Sequence, residues 1–119
     1  MSFLTKRIKS FGYAFKGIGS ILSKEPNVWI HCVAVVVVVS LGFYFHISPT
    51  EWCLCLLCFG LVLMAEAMNT AVERLVNLVS PQFHPIAGDV KDVAAGAVLL
   101  AALAAAIVGC IIFIPYLFN

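Results

Sequence analysis

Glu66, Asn69 and Glu73 are spaced i, i+3 and i+7 in a stretch that is otherwise apolar on both sides. At about 100° per residue their helical angles fall near 0°, 300° and 340°, so all three share one face. The carboxylates are then separated by roughly 10 Å of rise, with Glu66 the deeper when Glu73 is at a surface. A charge at the centre of a bilayer helix costs on the order of 2.5–3.5 kcal/mol, less near the interface, and packing alone gives no reason to accept that. Beyond them lie Arg74, His84, Asp89, Lys91 and Asp92. Phosphoryl transfer needs metal-binding carboxylates, cations for phosphate and a group beside the acceptor hydroxyl, and the stretch holds all three. Mg²⁺ is commonly held by one or two carboxylates plus substrate phosphates, a role open to Glu73 and Glu25. Lys91 can meet phosphate, Asp92 can orient a nucleotide or a lysine, and Glu66 is placed for a hydroxyl arriving from the lipid side.

The elements that must position these groups belong to a membrane. The chain has 119 residues, room for one domain, and is 63% hydrophobic with only seven Lys and Arg and six Asp and Glu. Its mean hydropathy is +1.08. So much apolar surface exceeds what a soluble core of this length can hide. The net charge of +1 gives no footprint for nucleic acid. Every cation lies either before residue 25 or at Arg74 and Lys91, and none lies in 46–51. The positive-inside rule therefore puts the N-terminus and the segment after residue 74 in the cytoplasm and the 46–51 turn outside. The basic start is followed by an amphipathic segment and shows no cleavable signal peptide.

Residues 3–23 carry Leu4, Ile8, Phe11, Phe15, Ile18 and Leu22 at three- and four-residue spacings, which predicts an amphipathic helix on the membrane surface. Pro26 breaks the chain, and spans are expected at about 28–47, 51–79 and 90–116. His31, near the start of the first span, reads as an interfacial packing residue. Ser48 or Thr50 can cap the second span, with Pro49 or Glu51 in its first turn, and Trp52 is an interface anchor. Asp89 is the expected cap of the third. Small residues at Ala97, Ala101, Ala105 and Gly109 let that span approach other helices closely. Cys53, Cys55 and Cys58 spread over more than a third of the helix circle, and all five cysteines sit in apolar runs, where free thiols serve as small hydrophobes.

The run Glu66-Ala67-Met68-Asn69-Thr70-Ala71-Val72-Glu73, then His84 and Ala87 to Leu99 (AGDVKDVAAGAVL), strongly resembles the small prokaryotic diacylglycerol and undecaprenol kinases. The likeness extends upstream through Phe11 to Gly17 and Glu25 to His31 and covers nearly the whole chain. It implies an all-α homotrimer of three-span subunits, each with a surface helix, in the inner membrane. It further implies active sites shared between subunits and γ-phosphate transfer from MgATP to a membrane lipid alcohol. On this resemblance Glu66 is the catalytic carboxylate, and Glu25 and Glu73 are the metal pair. Lys6, Tyr13, Asn69, Gln82, Phe83, His84, Lys91 and Asp92 surround the nucleotide, and Trp29 and Ala95 join Glu66 at the lipid. The Glu25-x-Asn27-x-x-Ile30-His31 pattern and Ala94 to Ala97 look more like undecaprenol kinases. Diacylglycerol kinases more often have an acidic residue at position 31 and Gly-Ser at 94 and 95. Trp29 departs from both, where a basic residue is common. Two other classes stand beside the lipid kinase: a small transporter, which could also bury an acid, and a structural membrane subunit.

Overall fold

The computed structural model describes residues 2–119 and contains four helices: α1 (Phe3–Lys24), α2 (Pro26–Phe45), α3 (Pro49–Val79) and α4 (Pro85–Leu117). Three of them, α2, α3 and α4, are long and apolar enough to cross a membrane. The chain is an all-α, multi-pass membrane protein.

Each boundary has a local chemical cause. Ser2 caps α1 by accepting the Thr5 amide at 3.2 Å. A single extended residue, Glu25, separates α1 from α2, whose first position is Pro26, where the missing amide donor costs nothing. The α2 helix ends on His46 in the left-handed region, φ 53°. Ser48 and Glu51 then form a reciprocal cap at the start of α3: the Ser48 hydroxyl accepts from the Glu51 amide, and the Glu51 carboxylate accepts from the Ser48 amide at 2.9 Å. The start of α4 departs from expectation. Asp89 is not its cap, because the helix begins at Pro85, and His84 Nδ1 accepts the Ile86 amide at 3.1 Å. An imidazole followed by proline supplies the acceptor and the preset φ that start a helix, so the last span gains a turn on the loop side.

The most extensive packing is between α3 and α4, where Ala101 from the small-residue run is buried. At the 46–51 end, Ile47, Cys55, Ile112 and Phe113 form a core flanked by Phe45, Trp52 and Tyr116, and the Tyr116 hydroxyl bonds the Glu51 carboxylate. Gly42 is required here: a Cβ on it would lie 2.5 Å from Trp52 Cη2. The α1 helix is different. Its stripe lies uncovered by protein, with Phe11 and Phe15 among the most exposed residues, as an interfacial helix requires.

Candidate active site

Within α3, Glu66, Asn69 and Thr70 are buried, although all are polar. Glu66 lies about 21 Å of helix rise beyond Trp52, less than the roughly 30 Å of hydrocarbon that a span must cross, so it belongs to the part of α3 long and apolar enough to span a membrane. Asn69 Nδ2 donates to Glu73 Oε1 at 3.3 Å, joining two of the three groups on the face that the spacing predicts. The third, Glu66, finds its partner on another helix. His31 Nε2 of α2 lies 3.4 Å from Glu66 Oε2, so His31 contacts the buried carboxylate and is not the simple packing residue expected. A buried acid needs a donor, and His31 is the one histidine in α2. That requirement is the signal that finds it.

Glu25, between α1 and α2, meets Arg74 of α3: Nη2 lies 3.5 Å from Oε1, and Arg74 Nη1 also donates to the Ser20 hydroxyl at 3.0 Å. Arg74 thus ties the end of α1 to the polar end of α3. Trp29 makes a second tie, its indole N–H donating to the Leu22 carbonyl at 2.8 Å, which leaves the ring face for other contacts. Lys91 Nζ donates to Asn77 Oδ1 at 2.5 Å, holding α4 to α3 on the far side of Glu73. Gln82, Phe83 and His84 form an exposed loop, with Phe83 89% exposed, and Asp92 and Ala95 are exposed on α4. Lys6 and Tyr13 are exposed on α1. Among the described residues, no hydrogen bond or ion pair joins these α1, loop and α4 groups to Glu66 or Glu73. Ser20 and Asn77 are polar partners that the residue pattern did not single out, and the Thr70 hydroxyl is buried without a hydrogen-bond partner.

The oxygen groups fit a hard cation. Among the described residues, no three His, Cys, Asp or Glu side chains gather as a self-contained metal cluster. Glu73 and Glu25 are nevertheless carboxylates at the same end of the molecule, and Asn69 Oδ1 is buried without a partner beside Glu73. One or two carboxylates with spare oxygen, open to substrate phosphates, is how Mg²⁺ is usually bound. All five cysteines carry free thiols, and only Cys55 is buried.

A helical multi-pass membrane protein with an acid buried at one interface and further carboxylates above it defines a narrow class. The sequence model described as prokaryotic diacylglycerol kinase matches residues 12–113. Undecaprenol kinase of Bacillus subtilis strain 168 is 38% identical over 114 residues, 96% of this chain and 93% of that protein. Diacylglycerol kinase of Synechocystis sp. is 38% identical over 111 residues, 92% of this chain but 63% of that longer protein. Diacylglycerol kinase of Escherichia coli strain K12 is 30% identical over 108 residues, 91% of this chain and 88% of its own. The chain belongs to the prokaryotic diacylglycerol kinase family. It is a lipid kinase with ATP as phosphoryl donor, which sets aside the transporter and structural-subunit readings.

Proposed function

We propose that this chain phosphorylates undecaprenol to undecaprenyl phosphate, as a homotrimer in the inner membrane with its N-terminus in the cytoplasm and residues 1–119 acting as one domain. The observation that carries the reading is Glu66, a carboxylate 3% exposed within a membrane span, below a second carboxylate at the interface. In a lipid kinase, an acceptor that itself lives in the bilayer calls for an acid at that depth.

In the reaction the lipid hydroxyl oxygen bonds to the γ-phosphorus, the bond from that phosphorus to the β,γ-bridging oxygen breaks, and ADP leaves. Glu66 orients the hydroxyl and takes its proton. Lys91 neutralises charge on the phosphates, Asp92 orients Lys91 or the nucleotide, and Lys6, Tyr13, Gln82, Phe83 and His84 surround the base and sugar. Trp29 and Ala95 border the lipid headgroup. Glu25, Glu73 and the unpartnered Asn69 oxygen would hold Mg²⁺, which when bound offsets the negative charge of the β- and γ-phosphates. Little covalent chemistry falls to the protein, so its contribution is positioning and electrostatics.

Association of subunits is supported by exposure, and the number three by the family resemblance. Three spans make a thin bundle, and the faces of α2 and α4 carry many exposed aliphatic side chains. The cytoplasmic N-terminus is supported by the cations of α1. For the substrate, undecaprenol is favoured by His31, by Ala94 and Ala95, and by the relative of that activity. Diacylglycerol, with phosphatidic acid as product, is the second reading, favoured by the relatives named for it. Offering both alcohols in competition to the purified protein in mixed micelles with labelled MgATP decides between them. The proposal expects label chiefly in undecaprenyl phosphate; label chiefly in phosphatidic acid overturns the substrate and leaves the site.

A further inference from the structure

We infer that His31 is a positioning residue that holds the Glu66 carboxylate in its reactive orientation. The inference rests on the reading of Glu66 as the group that takes the lipid proton. Three observations lead to it. First, the imidazole comes from α2 and the carboxylate from α3, with Nε2 3.4 Å from Oε2 and side-chain exposures of 20% and 4%. That separation is long for a hydrogen bond, as such contacts often are before substrate is seated. Second, Oε2 is the oxygen that faces His31, and the described residues give neither carboxylate oxygen a side-chain hydrogen bond, so the imidazole contact alone distinguishes the two. A base needs this asymmetry: one oxygen anchored, the other free toward the hydroxyl.

Third, His31 also lines an apolar groove of about 270 Å³ between α2, α3 and α4, with Val35, Val38, Phe59 and Val62 among its walls. His31 is the only strongly polar side chain there, so the imidazole stands where the apolar space meets the carboxylate. A donor at that junction restrains Glu66. An aliphatic side chain in its place would leave the carboxylate free to change rotamer. Its Nε2–H donates to Oε2 throughout the reaction and no proton passes through the ring.

The test compares His31→Ala, His31→Gln, Glu66→Gln and the His31→Ala/Glu66→Gln pair in mixed micelles, with thermal midpoints recorded for each. Displacing a reacting group by about an ångström costs on the order of 100-fold, so His31→Ala is expected to lower kcat about 10- to 100-fold while the KM for ATP changes less than about threefold. His31→Gln, whose amide nitrogen reaches the Nε2 position, is expected to recover part of that loss. In the Glu66→Gln background, His31→Ala should bring no further loss. Nitrogen NMR of the ¹⁵N-labelled imidazole supplies a reading that does not depend on turnover: the His31 resonance is expected to move on Glu66→Gln. Wild-type kcat in a folded His31→Ala protein overturns the inference, as does an imidazole signal indifferent to Glu66→Gln. Near-normal turnover of Glu66→Gln instead removes the reading of Glu66 itself. Should His31→Ala not fold, His31→Gln and the imidazole signal decide: near-wild-type kcat in His31→Gln with a responsive signal supports the inference, and an unresponsive signal ends it.

Discussion

Glu73 and Glu66 occupy one helical face but stand in different solvents. Glu66 is buried, whereas Glu73 is partly open and accepts from Asn69. They should therefore fail differently. Glu73→Gln is expected to raise the Mg²⁺ concentration needed for half-maximal rate several-fold, with high Mg²⁺ restoring part of the activity. A magnesium titration unchanged from wild type would remove Glu73 from the metal pair. Arg74 presents a second residue-scale case, because it links Ser20 and Glu25 through one guanidinium. Arg74→Ala should loosen α1, read as faster cleavage near residue 24 by an added protease; an unchanged cleavage rate would mean that the Trp29 to Leu22 bond holds the helix alone. The shared face of Glu66, Asn69 and Glu73 was legible from spacing, since a single helix fixes it. The partners of Glu66 and Glu25 were not, because His31 and Arg74 reach across from helices whose rotation about their own axes is set by packing.

At the scale of elements, α2 packs closely against Trp52 of α3 at Gly42. Gly42→Ala puts a methyl group 2.5 Å from Trp52 Cη2, and an overpacked core typically loses about 1–3 kcal/mol. Thermal unfolding in detergent should show a lowered midpoint, and a midpoint equal to wild type would mean that Trp52 moves aside without penalty. The membrane spans themselves were readable from composition and from Pro26 and Pro49, which mark helix starts by chemistry independent of neighbours. The start of α4 was misplaced for a related reason. Asp is the commoner cap, and nothing in the local sequence shows that the His84 ring turns its Nδ1 onto the Ile86 amide.

For the whole molecule, the arrangement of cations argues for sites completed between subunits. Lys91 is held by Asn77, which lies about 16 Å of helix rise from Glu66 on α3, too far for both to serve one phosphoryl group within a subunit without rearrangement. Under the proposed trimer, co-expressed Glu66→Gln and Lys91→Ala chains are therefore expected to recover activity that neither has alone, since mixed assemblies would contain some sites with both residues intact. Mixed preparations no more active than their parents would place each site within one chain. The uncovered stripe of α1 and the exposed faces of α2 and α4 are likewise intelligible only with lipid and neighbours around the subunit.

If the buried Glu66 carboxylate serves the lipid alcohol, turnover of Glu66→Gln, with nucleotide binding followed on the same sample, shows it. Removing a general base typically costs on the order of 100- to 10,000-fold. That loss is expected in phosphate transfer to the lipid alcohol, with ATP affinity and thermal midpoint close to wild type. A folded Glu66→Gln protein that binds ATP and still turns over at near the wild-type rate would contradict it.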